Sequence, residues 1–222
     1  MALEGYEVHA ISAKEATYVV VKNHYLHRRG PASYCYGLFD AQGSLVGVIT
    51  YGTPASPSLC KGVAGPDEKD YVLELTRLWI ADITPKNAES FLIGNSLKLL
   101  PPEKNIIVSF AEIRAGHVGT VYQATNWLYT GLSDRHVEWQ VDGVESSKHG
   151  RHLFDEFGGI EGAKIALGER LVRTERPRKH RYIILRGDKR RRRELLGKLR
   201  YQVQAYPQAT DEIPKDSTKG KS

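Results

Sequence analysis

The sequence predicts an α/β (α+β) fold, a mixed central sheet with helices on both faces and a basic C-terminal helix. Three observations carry that expectation: a hairpin pattern in the first quarter of the chain, a nearly continuous apolar run at 106–111, and alternation of helix and strand patterns from there onward. With 222 residues the chain can bury a substantial core and sits at the upper end of what one domain holds. We expect a single domain over 1–207. Residues 208–222 are polar and lack apolar side chains to bury, so they read as a disordered tail.

A strand is predicted at 6–11 and an amphipathic helix at 13–27, capped by Ser12. Residues 34–39 and 45–51 are rich in strand formers and are joined by a Gly-containing loop, the pattern of a hairpin. A stretch with Pro54, Pro57, Gly62, Gly65 and Pro66 follows. Its length reads as a loop with a substrate-contacting or lid role. Residues 71–81 alternate as a strand, and a helix is predicted over 86–100, with Pro85 at its start and Pro101-Pro102 beyond its end. The run at 106–111 has the pattern of a strand buried on both faces. Further elements are expected at 119–128 (helix), 137–141 (strand), 163–173 (helix), 181–185 (strand) and 190–199 (helix).

Composition excludes several classes. At 41% hydrophobic and 26% charged residues the chain is an ordinary globular one. No apolar run approaches the ~20 residues that span a bilayer, and the first twelve residues lack a basic head followed by an apolar stretch. A cytoplasmic protein with no membrane partner is expected. The two cysteines, Cys35 and Cys60, are too few for a disulfide framework and lack zinc-site spacing.

Charge is informative once it is located. Residues 170–200 carry fourteen Lys/Arg against three Asp/Glu, a net of +11, whereas the whole chain carries +6, which leaves −5 elsewhere. A concentrated cationic face attracts polyanions and releases their counterions, so nucleic acid is the expected partner. The candidate contacts are Arg178, Lys179 and Arg181 in one cluster and Lys189, Arg190, Arg191, Arg192 and Arg193 in the other. A solvated helix face is the plainer account of the second run.

Candidate chemistry centres on residues 112–131. Glu112 ends a buried strand, and a turn and a helix start follow; α/β sheets bind ligands at such strand ends, and the helix N-terminus offers unpaired N–H groups to an anion. Glu112 suits a base or a metal ligand, Tyr122 an acid or hydrogen-bond donor, and His117 either role, while turn capping and core packing account for the same residues without function. In the strand at 71–81, Glu74 and Arg77 are three apart and so fall on opposite faces, with Arg77 the candidate anion-binding or substrate-orienting group. His24 and His27 lie near the end of the first helix, spaced to converge on a metal ion or a substrate.

The strings Asn23-His24-Tyr25, Thr50-Tyr51-Gly52, Glu74-Leu75-Thr76-Arg77-Leu78-Trp79, Gly116-His117-Val118-Gly119-Thr120-Val121-Tyr122-Gln123-Ala124 and Lys179-His180-Arg181-Tyr182 together resemble the Mom family of phage DNA-modification proteins. The resemblance runs over about residues 24–206. It implies a fold similar to the GCN5-related N-acetyltransferases and an enzyme that places a carbamoylmethyl (acetamide-type) group on the N6 amine of adenine in double-stranded DNA, protecting it from restriction, in a bacterial host cell. It implies catalytic roles for Arg77, Ser96, Glu112 and Tyr122, with His24 and Tyr25 as iron or substrate contacts. Glu112 stands where an aspartate is expected, keeping the carboxylate but adding a methylene.

Acetyl-coenzyme A is the implied cofactor, with Lys86 and Asn87 its candidate contacts, although the loop there is not glycine-rich. Tyr51, His117 and Trp127 are further pocket candidates, and Tyr51, Trp79, Trp127 and Tyr129 are candidates to stack on a flipped base. A conventional acetyl-coenzyme A-dependent N-acetyltransferase acting on a protein or small amine, and a noncatalytic DNA-binding protein, are the alternatives.

Overall fold

The computed structural model describes residues 3–113, 118–142 and 154–208. The chain forms two compact units, Met1–Gly131 with His180–Ser222, and Leu132–Lys179. His117 and residues 209–222, the expected tail, lie outside the described residues.

The larger unit is built on a mixed sheet in the order β1-β2-β3-β4-β5-β9-β6. Its strands are β1 (Glu7–Ala10), β2 (Tyr34–Phe39), β3 (Leu45–Gly52), β4 (Val72–Ile80), β5 (Ile106–Glu112), β6 (Leu128–Leu132) and β9 (Lys179–Leu185). β1 to β4 pair antiparallel, whereas β4 and β5 run parallel, joined by the helix α3 (Ala88–Leu99). α3 lies on one face, where Leu92, Ile93 and Leu97 pack with Tyr51, Leu73, Leu75, Ile107 and Trp127. The opposite face is covered in two places. α1 (Ala13–Asn23) buries Ala16 and Val20 against Val48 and Trp79. α2 (Pro57–Ala64) and the basic C-terminal helix α6 (Lys189–Lys198) bury Val63, Ala64 and Leu195 against Val72, Ile106, Val108 and Ile183. A mixed sheet with helices on both faces is therefore the observed fold class.

Several elements depart from the sequence expectation for identifiable reasons. α1 stops at Asn23, short of residue 27, because the His24 ring turns back and its Nδ1 accepts the Leu26 N–H at 3.1 Å. The Ser12 cap is present and accepts from the Glu15 N–H at 3.1 Å. The stretch expected as a long loop holds α2 and a 3₁₀ turn, Pro66–Tyr71. Ser56 caps α2 by accepting from the Leu59 N–H, Pro57 opens it, and Gly65 at φ 102° ends it, so the proline and glycine punctuate a helix. α4 (Thr120–Ala124) is short because Asn126 takes φ 59°, after which Trp127 and Tyr129 are buried at the start of β6.

The smaller unit contains β7 (His136–Val141) paired antiparallel with β8 (Leu171–Arg176), and α5 (Ile160–Leu167). The helix expected over 163–173 ends at Gly168, φ 52°, and its last residues become β8. Among the described residues no helix is long and apolar enough to cross a membrane.

Candidate active site

Parallel pairing of β4 with β5 runs from Val72 opposite Ile106 to Glu74 opposite Val108, while β4 continues to Ile80 and β5 to Glu112. Beyond that point the two strands carry no mutual ladder, and a small side chain spans them instead: the Ser109 hydroxyl bonds to the Leu75 carbonyl at 3.1 Å. The same hydroxyl meets the Tyr122 hydroxyl at 2.8 Å. Ser109 has one proton to give and the Leu75 carbonyl can only accept, so Tyr122 is held as the partner that completes the pair.

A bulge re-aims the β4 side chains at this opening. β3 pairs Thr50 with Arg77, Tyr51 with Leu75 and Gly52 with Glu74, so Thr76 is the extra residue. Thr50 and Gly52 share a face, and their partners Arg77 and Glu74 therefore share it too. The expectation that Glu74 and Arg77 face opposite ways is overturned by that one inserted residue. Thr76 stabilises the bulge through its hydroxyl, which bonds to the Pro31 carbonyl and the Thr50 hydroxyl, both at 2.8 Å. On β5, Ile106 and Val108 pack under α2 and α6, and the strand period puts Glu112 on the same face as Glu74 and Arg77.

The segment after α1 completes this face. The Arg77 guanidinium donates to the Arg28 carbonyl (3.2 Å), the Arg29 carbonyl (3.3 Å) and the Thr76 carbonyl. Gly30 lies close beneath it: a Cβ there would sit 3.2 Å from both the Arg77 guanidinium and the Thr76 side chain and would press on both. Arg77 thus clamps the loop that carries His24 and Tyr25, whose rings stack at 4.4 Å. His24 is buried, and burial together with the Arg77 and His27 charges lowers its pKa to about 4. Tyr25 is 55% exposed. Its phenol is held above the usual range by burial of the hydroxyl and by the Glu112 carboxylate, with Arg77 and Arg28 pulling the other way. Tyr25, Arg77, Glu74 and Glu112 thus form one electrostatically coupled group.

Tyr122 reaches the opening from the α3 side. It is 8% exposed, burial pushes its pKa up to about 12, and Tyr25 and Glu74 are among the charges that act on it. Ser96 is fully buried, bonded to the Tyr51 hydroxyl (2.8 Å) and the Ile93 carbonyl (3.1 Å), so it anchors the core beneath the opening. Tyr51 and Trp127 are also fully buried core side chains, and the Tyr129 hydroxyl is engaged by His180 at 2.9 Å. Tyr51 and Trp127 consequently expose no ring face to a flipped base, a correction to their reading as pocket residues. Tyr25 does expose one.

The Gly-His-x-Gly-Thr-x-Tyr-Gln-Ala string has a structural logic of its own. Gly119 has φ 77°, and the Tyr182 ring occupies the space a Cβ would need. Gln123 donates to the Tyr182 hydroxyl at 3.1 Å, and that hydroxyl donates to the Val118 carbonyl. Gly119 and Gln123 therefore dock α4 on β9, and Tyr122 is the residue this docking presents to the opening.

Among the described residues, those expected to hold a metal do not fit one. With Nδ1 accepting the Leu26 N–H, neutral His24 carries its proton on Nε2, so neither nitrogen offers a free lone pair. Among the described residues no three His, Cys, Asp or Glu side chains gather to hold an ion. At the α3 N-terminus, Asn87 adopts φ 70° and its side chain makes no capping bond; the Ala88 N–H bonds to the Pro85 carbonyl at 3.3 Å, the next N–H groups of the turn are open beside Lys86, and Glu89 in the same turn opposes an anion.

The basic residues divide sharply. Arg181 is 6% exposed, donates to the Thr130 hydroxyl and carbonyl, both at 3.0 Å, and lies over the Tyr201 ring at 3.4 Å. Arg178 donates to the Ser133 carbonyl at 2.6 Å. Arg191 pairs with Glu68 and Glu194. The expectation that Arg181 and Arg191 meet phosphates is corrected by these internal bonds. Lys179 is half-buried, whereas Lys189, Arg190, Arg192 and Arg193 are exposed.

Two residues of this site escaped the sequence reading in their roles. Ser109 was visible only as a small polar interruption of an apolar strand, and Glu74 joins the site through a bulge that side-chain periodicity does not encode.

Fold and site together define a mixed-sheet α/β protein with coupled titratable groups where two parallel strands part, at their C-terminal ends, the place where such sheets hold ligands. The chain belongs to the Mom protein family, whose model matches residues 5–208. It is 31% identical over 204 residues to the methylcarbamoylase Mom of Escherichia phage Mu, covering 90% of this chain and 83% of that one. Among solved structures it is similar to the ribosomal-protein-S5-alanine acetyltransferase of Vibrio fischeri, at 9% identity and TM-score 0.46 over 85% of this chain and 97% of that one. It is also similar to the spermidine/spermine N-acetyltransferase of Vibrio cholerae, at 10% identity and TM-score 0.42 over 82% and 92%. Likenesses this distant say nothing of chemistry.

Proposed function

We propose that this protein is a DNA adenine-modifying transferase that installs a carbamoylmethyl group on the N6 amine and so protects DNA from restriction. What supports the reading is the gathering of Glu112, Glu74 and Arg77 on one face where β4 and β5 part, beside the loop that carries Tyr25, in a member of the Mom protein family.

In this mechanism the adenine leaves the duplex stack, at a cost of a few kcal/mol, and rests on the exposed face of Tyr25. Glu112 accepts the N6 proton as the N6–CH2 bond forms, and the leaving group departs from the methylene carbon with the bonding electron pair. Tyr122 stays protonated at neutral pH, its pKa being about 12, and fixes the end of β5 by giving its one proton to the Ser109 hydroxyl, whose own proton goes to the Leu75 carbonyl. Arg77 positions Tyr25 by clamping the backbone of residues 28–29.

Acyl-coenzyme A phosphates would lie at the open first turn of α3 beside Lys86 and Asn87. Such a cofactor supplies an activated acyl carbon, and simple acetyl transfer would leave N-acetyladenine, so the carbamoylmethyl product requires a donor whose electrophilic carbon is a methylene bearing the amide. No step is assigned to iron.

The test is nucleoside mass spectrometry on plasmid DNA from cells expressing the soluble protein. A carbamoylmethylated adenine nucleoside is expected; wholly unmodified adenine in a host that supports the reaction overturns the proposal.

A further inference from the structure

We infer that the outer face of α6 is the surface that docks the phosphate backbone of duplex DNA, through Lys189, Arg190, Arg192 and Arg193. The inference rests on the reading of this protein as one that acts on DNA.

The helix is fixed from its inner side. Asp188 caps it by accepting from the Arg191 N–H at 2.7 Å, and Leu195 is fully buried. Arg191 and Lys198 both bond to Glu68, whose side chain is only 5% exposed, and both also bond to Glu194. Every acid of the helix and its cap is thereby occupied by its own end or its inner side.

At 100° per residue, positions 189, 190, 192 and 193 fall within one arc of about 160°. All four side chains are exposed, and none meets an acceptor among the described residues. The result is an acid-free stripe of four cations on a helix that does not have to order itself on binding.

Charge complementarity selects a polyanion. A membrane surface would require bulky apolar side chains to insert beside the cations. On this arc only Leu196 is apolar, at 49% exposure, because Leu195 is buried against the sheet. A regular row of phosphates needs only the charges. Such contacts set affinity and register, leaving base choice to the opening between β4 and β5.

The experiment is a fluorescence-anisotropy titration of a short duplex with the full chain and with K189Q/R190Q/R192Q/R193Q, repeated across salt concentrations. Each phosphate contact contributes about 0.9 to the slope of log Kd against log salt, so the variant is expected to lose about 3 to 4 from that slope. Its deficit in binding then grows by about two orders of magnitude between roughly 200 and 50 mM salt. R190Q/R193Q is expected to lose about half as much slope, and it serves as the readout should the quadruple variant not fold. Slopes equal to wild type in a folded variant overturn the inference, as does loss of binding to anionic vesicles with the DNA slope intact. Unmodified adenine in cells together with the expected slope change defeats the functional proposal alone; an unchanged slope with modified adenine defeats this inference alone.

Discussion

The inward-turned arginines and the outer face of α6 have the same composition and opposite uses. Arg77, Arg178, Arg181 and Arg186 donate to backbone carbonyls of neighbouring segments and hold loops in place. Lys189, Arg190, Arg192 and Arg193 are exposed and bond to nothing described. The guanidinium fork explains the first use, since it can satisfy several carbonyls that would otherwise end a strand or loop without a donor. On the proposed reading, a basic residue in this chain is free to meet a phosphate only where its helix turns it outward.

The sharpest way to break the comparison is Glu68→Ala. It removes the buried carboxylate that both Arg191 and Lys198 reach, leaving them Glu194 alone, and a lowered midpoint in denaturant unfolding is expected. Arg181→Lys removes the fork that serves Thr130 and the contact over Tyr201; a loss of about 2 kcal/mol in the same assay is expected. An unchanged midpoint in either would place these residues with the outward group.

A third effect is pH-dependent. The pKa of His24 is lowered from 6.5 to about 4 in the folded protein, so the unfolded chain binds the proton more readily. Its contribution to stability is complete above about pH 6.5 and is lost as the pH falls toward 4. Burial is the main cause and Arg77 the next, so in Arg77→Met the His24 ring, followed by NMR, is expected to titrate at higher pH. The smallest effect belongs to the outer face: each single Gln substitution at Lys189, Arg190, Arg192 or Arg193 is expected to change stability by less than about 0.5 kcal/mol.

What the sequence made legible follows from where the information is local. The hairpin, β5 and α6 were readable because alternation, an apolar run and a basic amphipathic helix are patterns of adjacent residues. α2 was readable in principle, with Ser56, Pro57 and Gly65 marking its ends, and was read as loop because the same glycines and prolines also mark turns. The start of β8 was absorbed into a helix that stops early at Gly168, and β6, which begins just past Asn126, was not read as a strand. In the site, Glu112, Tyr122 and Arg77 stood out by residue type and Tyr25 through the family resemblance, but the face shared by Glu74 and Arg77 depends on one unpaired residue in β4. The direction each arginine takes depends on carbonyls 45 to 86 residues away in the chain, which no local pattern encodes.

The central claim is that Glu112 takes the N6 proton of adenine at this opening. It is tested most directly by the fraction of modified adenine, measured by nucleoside mass spectrometry, in plasmid DNA from cells expressing wild type or Glu112→Gln at equal soluble levels. Loss of a general base typically costs about 10²- to 10⁴-fold, so modification is expected in the wild type and a fall of at least about a hundredfold in the variant. Equal modification by the two proteins would contradict the account.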